Sequence, residues 1–458
     1  MNISNKNNIN IKNKNIVIIG IGRSGVGAAK LARYLGANVL ISDYKSNIKN
    51  VSLSKKMQSI DIKTELGGHS EEIYNADLWI ISPGISKDNP IVIKAKNKGL
   101  KLISEIEFAS WFTNALIIAL TGSNGKTTTV HLLNEMCNNN EHPPALGGNV
   151  GIAFSELVLS DLQNKISKRI YILEISSFQM EHIIHFKPHI SIFLNISKDH
   201  MDRYSNMNKY IEAKLNMIQN QDENDYIVYN IDDQILNKKF IDSISQIYGF
   251  SLIDTKNTKL KVDSTKIYDE AYNTFIELNK IALLGKHNLS NILAAATAAK
   301  ILGVPNSEIS KAIKAFQGVE HRLERVIKIK GVTYYNDSKA TNVDSVKVAL
   351  ESFDNSIYLI LGGKDKGGDF SEILPYLQNK VKEIILYGEA ANIIAAAIGD
   401  AVKLEKLFSL KDAVKACYLR AKPGDVVLLS PGCASFDQFR NFEERGNIFK
   451  SILNSMAN

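Results

Sequence analysis

The residues best suited to chemistry fall into three clusters. In the first, the apolar run Leu116–Leu120 leads into Thr121-Gly122-Ser123-Asn124-Gly125-Lys126-Thr127-Thr128, and a helical pattern then continues to about Cys137. A Gly-rich loop between strand and helix turns successive backbone N–H groups toward an anion. The helix start adds a positive end, Lys126 a point charge and Thr127 a hydroxyl for magnesium. That set suits a nucleoside triphosphate, although Leu120 stands where the strict phosphate-loop pattern has its first glycine.

In the second cluster, Gly20-Ile21-Gly22-Arg23-Ser24-Gly25-Val26-Gly27 follows Ile16–Ile19, and Asp43 ends the next β-branched run. Such a loop lets a diphosphate approach a helix start but does not say which one, so NAD and another nucleotide diphosphate are both open. The third cluster comprises Glu174-Ile175-Ser176-Ser177-Phe178-Gln179, the stretch from Asn195 through Asp199, His200 and Asp202 to Tyr204, and Lys214. Glu174 ends a strand, where a carboxylate can hold magnesium against ATP phosphates. Histidines are more often structural than ligands, but His200 lies just past a strand end between two aspartates. Lys214, taken singly, reads as a solvated helix lysine.

The elements that must position these clusters alternate strand and helix. Ile16–Ile19, the helical stretch Gly25–Leu35 and Ala37–Ile41 open as a βαβ unit, and Leu78–Ile81 ends in the turn Ser82-Pro83-Gly84. The pattern restarts at Leu116 and continues through strands at Arg169–Leu173, Ile190–Leu194 and Tyr226–Tyr229. Ser251 to Glu277 is polar and weakly periodic, and Gly285 to Leu302 is an Ala-rich helix. From about Val319 a third unit carries strands at Val332–Asn336, Ile357–Leu361, Lys382–Tyr387 and Val426–Leu429. Three of these end in Asp337-Ser338-Lys339, Gly362-Gly363-Lys364 and Ser430-Pro431-Gly432. In open parallel sheets ligands bind beyond the carboxyl ends of strands, so these turns are expected to face a site.

Composition narrows the class. The 458 residues, 45% hydrophobic and 22% charged, have material for several cores and are neither disordered nor fibrous. No apolar run approaches the ~18 residues of a membrane helix, and the Asn/Lys-rich start lacks a signal-peptide core; a cytoplasmic protein without membrane contact, with a flexible first fifteen residues, is expected. The net charge of +7 is spread without blocks, which speaks against nucleic acid and fits a phosphate- or carboxylate-bearing substrate. Three cysteines at no ligand spacing predict reduced thiols.

In order along nearly the whole chain, these motifs resemble the Mur ligases, ATP-dependent amide-forming enzymes of peptidoglycan precursor synthesis, and most of all the members that add D-glutamate. Further matching segments are Gly147-Gly148-Asn149-Val150-Gly151, Gly285-Lys286-His287-Asn288-Leu289-Ser290-Asn291, His321-Arg322, Asn336 to Asn342, and Ser430 to Phe439. Mur ligases share the shortened phosphate loop. The resemblance implies three α/β domains: residues 1–104, Rossmann-like, for the uridine nucleotide; 105–318, a P-loop ATPase with a mostly parallel sheet; and 319–458, Rossmann-like, for the amino acid.

It also implies roles. The diphosphate of UDP-N-acetylmuramoyl-L-alanine is expected at Gly22, Arg23 and Ser24, with Asp43, Tyr44 and Lys45 near uracil and ribose, Ser82 and Gly84 lining the same groove, and Asn149, Gln179 and His200 nearer the muramoyl-alanine part. Tyr44-Lys45 stands where members commonly have Thr-Arg. ATP is expected at Gly122, Ser123, Asn124, Gly125, Lys126, Thr127, Thr128, Asn291, Arg322, Asp337 and Lys339. Two magnesium ions are expected on Thr127, Glu174, His200 and Lys214, the last as an N-carboxylated lysine. D-Glutamate is expected at Thr341, Lys366, Ser435 and Phe442. Lys126, His200, Lys214 and Arg322 are the implied catalytic set, and a monomer is expected. The rival readings are a relative with another amino acid or acceptor, such as the alanine-adding or diamino-acid-adding Mur ligases or folylpolyglutamate synthase, a nucleotide sensor that keeps the fold without the chemistry, and an NAD-dependent oxidoreductase.

Overall fold

Short runs of aliphatic and β-branched residues with almost no polar interruption form strands that must be covered on both faces, as parallel sheets are. The computed structural model describes residues 9–138, 141–201, 203–240, 243–253, 258–269, 273–354 and 356–457. It divides into two compact units, Met1–Glu277 with Ser290–Ile313, and Leu278–Leu289 with Lys314–Asn458.

The first unit holds two parallel sheets. One contains β1 (Asn15–Ile19), β2 (Asn38–Asp43), β3 (Lys63–Leu66), β4 (Leu78–Ile81) and β5 (Leu102–Ser104) in the order β3-β2-β1-β4-β5. Chain order reverses direction between β1 and β4, so the loop after β1 and the turn after β4 share one crevice. The other contains β6 (Leu116–Thr121), β7 (Pro144–Gly148), β8 (Ile170–Glu174), β9 (Ile190–Phe193), β10 (Tyr226–Asn230) and β11 (Gln246–Phe250) in the order β11-β10-β9-β6-β8-β7. Here the reversal falls around β6, placing the phosphate-type loop between the ends of β8 and β9.

A single core joins the two layers, from Ile16, Ile18 and Leu31 through Phe154 and Val158 to Tyr171 and Leu173. The join depends on close approach of the helices Arg23–Tyr34 and Phe154–Asn164: a Cβ on Gly27 would lie 2.6 Å from Ser155 Oγ and 3.0 Å from Ala153 Cβ. The polar stretch before Glu277 forms a small antiparallel sheet, β12 (Leu260–Val262), β13 (Lys266–Asp269) and β14 (Thr274–Glu277). Too short to show a period, its strands bury Leu260, Ile267 and Ile276.

The second unit is one six-stranded sheet. β15 (Glu324–Ile329) pairs antiparallel with β16 (Val332–Asn336), and β17 (Ile357–Gly362), β18 (Val381–Tyr387), β19 (Lys403–Leu407) and β20 (Val426–Leu429) complete the order β15-β16-β20-β17-β18-β19. Along β17, Ile357, Leu359 and Leu361 enter one core while Tyr358 and Ile360 enter the other. Period-two alternation between two apolar layers explains a strand that reads as a continuous apolar run.

The expected α/β class with Rossmann-like and P-loop domains is what the chain forms. The expected flexible start needs correction from residue 9 onward: Ile11 is 2% exposed in the core, Asn13 N–H donates to Gly36 O at 2.8 Å, and Asn15 begins β1. One buried apolar side chain is enough to tie such a segment down, and residues 1–8 lie outside the described residues. Among the described residues no helix is long and apolar enough to cross a membrane.

Candidate active site

The loop after β6 is shaped by two devices. Gly125 adopts φ +83° at the start of the helix Lys126–Cys137, and a Cβ there would lie 2.3 Å from Asn291 Oδ1. From the end of β9, Asn195 Oδ1 accepts the N–H groups of Ser123 (3.1 Å) and Asn124 (2.9 Å), while its amide donates to Asn124 O (3.1 Å). Asn195 opens a stretch of the third cluster but carries no assigned role in the sequence; only the sheet order brings it beside the loop. Lys126 Nζ donates to the loop carbonyls of Gly122 (2.7 Å) and Ser123 (2.8 Å).

Around this loop the predicted magnesium-side residues converge. Thr127 Oγ1 donates to Glu174 Oε2 at 2.7 Å, and Asn149 Nδ2 donates to Glu174 Oε1 at 2.8 Å, so hydroxyl, carboxylate and amide meet at the ends of β6, β7 and β8. Lys214 is buried, with Nζ 3.0 Å from Gly122 O, 3.3 Å from Thr121 Oγ1 and 4.7 Å from the centre of the Tyr210 ring. Burial and the nearby charge of Lys126 push its pKa well below the usual lysine range. The surface-lysine alternative is thereby overturned: the helix Met207–Leu215 turns this side chain inward.

His200 has φ 56°, a left-handed backbone that non-glycine residues adopt where surrounding structure imposes it. Its ring packs edge-on against Phe178 at 4.7 Å, lies 6.3 Å from Tyr210, and approaches Asp199 Oδ2 with Nε2 at 3.4 Å. Tyr210 thus borders both His200 and Lys214, a second residue missed because a helix tyrosine carries no chemical signature in sequence. Asp202 lies outside the described residues.

The donor set fits a hard cation. Thr127 and Glu174 offer oxygens, and among the described residues no group of three or more His, Cys, Asp or Glu forms a protein cage. A divalent ion here would take its remaining ligands from phosphate and water, the usual arrangement for magnesium.

In the β1–β4 crevice, Gly22 precedes the helix carrying Arg23 and Ser24, and Ser82 Oγ donates to Gly20 O at 3.3 Å. Gly84 lies in the turn after β4. Arg23 Nη2 reaches Asn149 O at 2.7 Å, linking this loop to the residue on Glu174. Asp43 is engaged locally, Oδ2 accepting Ile21 N–H (2.9 Å) and Oδ1 accepting Lys45 N–H (2.8 Å), so it holds the loop's shape. Tyr44 is exposed and 6.3 Å from His69. Gln179 Oε1 closes its own turn, accepting Ser176 N–H at 2.9 Å.

In the second unit, Asp337, 7% exposed, follows β16; Ser430 Oγ donates to its Oδ2 at 2.8 Å and Leu323 N–H to its Oδ1 at 3.2 Å. Burial outweighs these donors and the Arg322 charge, raising its pKa to about 7. Lys339 Nζ sits 5.1 Å over the Phe442 ring, which is 6.1 Å from His321. Ser435 is buried, Thr341 half-buried and Lys366 exposed. Lys364 and Ala434 exchange backbone hydrogen bonds (2.8 and 3.0 Å), bringing the loop with Lys366 beside the one with Ser435. Arg322 belongs to this unit and Asn291 to the first.

Residues 14–104 match the Mur ligase MurD-like N-terminal domain, 120–299 the Mur ligase middle domain, and 321–433 the Mur ligase glutamate ligase domain. The chain belongs to the Mur ligase family. It is 39% identical, over 97% of its length and all of the relative's, to a UDP-N-acetylmuramoylalanine--D-glutamate ligase of Christiangramia forsetii. It is 40% identical, over 97% of this chain and 98% of the relative, to one of Bacillus cereus. Its fold matches that of the UDP-N-acetylmuramate-alanine ligase MurC of Thermotoga maritima with TM-score 0.61 at 18% identity, covering 97% of this chain and 100% of that one. The MurF ligase of the same organism, solved with ADP, matches with TM-score 0.61 at 16% identity, covering 99% and 98%.

Proposed function

We propose that this Mur ligase joins D-glutamate to the alanyl carboxylate of UDP-N-acetylmuramoyl-L-alanine, forming an acyl phosphate from ATP and releasing ADP and phosphate, in peptidoglycan precursor synthesis. The observation that carries the chemistry is the convergence of Lys126, Thr127, Asn149, Glu174 and Lys214 on one loop. The named relatives carry the substrate assignment. We place it in the cytoplasm as a monomer, with domains divided near residues 104 and 318.

In this reading the loop from Gly122 to Thr128 binds the ATP phosphates, Asn291 lies on the adenine side, and Thr127 and Glu174 hold one magnesium ion. His200 and Lys214 serve a second. Magnesium, when bound, supplies positive charge at the phosphate oxygens. The alanyl carboxylate oxygen attacks the γ-phosphorus as ADP leaves, and Lys126 and Arg322 balance the charge that develops. The D-glutamate amine then adds to the acyl carbon, a proton passes to solvent, and phosphate departs. Gly22, Arg23 and Ser24 hold the diphosphate, Asp43 lies toward uracil and ribose, and Ser82 and Gly84 line the same groove; Asn149 and Gln179 position the muramoyl-alanine end. On the second unit, Asp337 and Lys339 are assigned to the nucleotide, and Thr341, Lys366, Ser435 and Phe442 to D-glutamate.

Lys214 is proposed as a carbamate. The neutral amine that burial favours is the form that adds CO2, and the product is an anionic oxygen ligand suited to magnesium.

Phosphate release from ATP, measured with UDP-N-acetylmuramoyl-L-alanine and each of D-glutamate, L-glutamate, L-alanine, L-lysine and meso-diaminopimelate, tests the assignment. Release that needs both the nucleotide substrate and D-glutamate is expected. Dependence on another amino acid would move the substrate, and no release with any would favour a sensor.

A further inference from the structure

The proposed substrate is long. Its diphosphate belongs at the β1–β4 crevice and its carboxylate beside Glu174 and Lys214, so the two ends rest on different layers of the first unit. The separation of those layers must therefore match the molecule to within a fraction of an ångström, since misplacement of ~1 Å can cost on the order of 100-fold in rate.

Beyond the proposed site, Lys30 meets Glu156 across the helices at 2.7 Å, and Arg203 reaches the groove turn itself. Arg203, three residues after His200, donates from Nη1 to Pro83 O (2.8 Å) and from Nη2 to Ile85 O (3.0 Å), the carbonyls on either side of Gly84. The same guanidinium holds Glu181, from Nη2 to Oε2 at 2.7 Å and from Nε to Oε1 at 3.3 Å. Both side chains are largely shut off from water, 12% and 8% exposed, and Tyr204 OH donates to Glu181 Oε1 at 2.9 Å. The guanidinium lies 4.4 Å over the Phe178 ring, the ring that packs against His200. A rigid, planar, five-donor cation is thus bonded to the turn of one layer and stacked on the support of His200 in the other.

We propose that Arg203 is a positioning residue that sets the distance between the diphosphate end and the reacting end of the substrate. The substrate part of this inference rests on the reading above. The turn itself does not need Arg203 for its shape, because Ser82 N–H donates to Ile19 O (3.0 Å) and Ile85 N–H to Ser82 O (3.0 Å). Arg203 governs the registration of the layers and leaves the local fold of the groove alone.

Steady-state kinetics and calorimetry on R203A, R203K and E181Q test this. For R203A, kcat/KM for UDP-N-acetylmuramoyl-L-alanine is expected to fall on the order of 100-fold. KM for ATP and the affinity for UDP alone, which touches only the groove, should stay within about threefold. Lysine, a compact point charge, cannot serve two carbonyls and a carboxylate at once, so R203K should not restore the loss. E181Q, which keeps the side-chain shape but loses the charge and one of the two acceptor oxygens, should fall between. A normal R203K, or an equal loss of affinity for UDP alone, would overturn the proposal. Pulsed electron resonance between labels at the exposed Lys56 and Lys239 of the ligand-free protein gives a readout independent of activity. The distance distribution should broaden in R203A, and an unchanged distribution would overturn the strut. Wild-type protein without D-glutamate-dependent phosphate release would instead overturn the substrate reading.

Discussion

At Lys214 charge and burial conflict. A buried ammonium close to a second lysine is costly, and the proposed carbamylation would convert that cost into a ligand. Lys214→Met is therefore expected to lower turnover at least ~100-fold, in the range of lost transition-state electrostatics. Intact mass of the wild type should show one added CO2 that is lost at acid pH. Asp337 separates stability from activity. Its folded pKa, about 7, is raised above the ordinary 3.8, so the folded state holds the extra proton: the contribution to stability is full below pH ~4 and is lost as pH rises through about 7. Asp337→Asn should accordingly gain stability over wild type as pH rises from 5 to 8, by about 3 kcal/mol, since the ~1.4 kcal/mol per pH unit accrues only up to about pH 7. If the carboxylate accepts ribose hydroxyls, the same variant raises KM for ATP at pH 8, and the wild-type KM for ATP rises as pH falls below 7. Denaturant melts and initial rates across that range check both.

At the scale of elements, the phosphate loop is a strand–turn–helix that leaves no room for a side chain at Gly125. Gly125→Ala adds a left-handed backbone cost of about 1–2 kcal/mol and drives a methyl into the Asn291 amide. A lower Tm together with a raised KM for ATP is expected, with KM for the uridine substrate little changed. The two glycine loops were legible because glycine requirements are local: a positive φ or a close approach is written in one residue type. Asn195 was not legible as a loop-shaping residue, because its contact with Ser123 and Asn124 exists only once β9 lies beside β6. The strands from Leu260 to Glu277 were equally hidden, being too short and polar to show a period.

Across the whole molecule, the chain folds as two compact units with separate cores. Chains of this kind depart from two-state unfolding. Calorimetry should resolve two transitions, and UDP-N-acetylmuramoyl-L-alanine at 100 times its Kd should raise only the one belonging to the first unit, by about 2.7 kcal/mol of added stability.

The α/β class, the two glycine loops and the residues able to bind phosphate are legible in the amino-acid order, since they depend on apolar runs, on backbone freedom and on side-chain chemistry carried by neighbouring residues. Tertiary structure alone decided which distant residues meet. Sheet order set Glu174 between Thr127 and Asn149, a helix face turned Lys214 inward, and helix packing at Gly27 merged two layers into one core. Arg203 shows the same division: its five donors are evident from its type, whereas the carbonyls of Pro83 and Ile85 become partners only when long-range packing brings the two layers together.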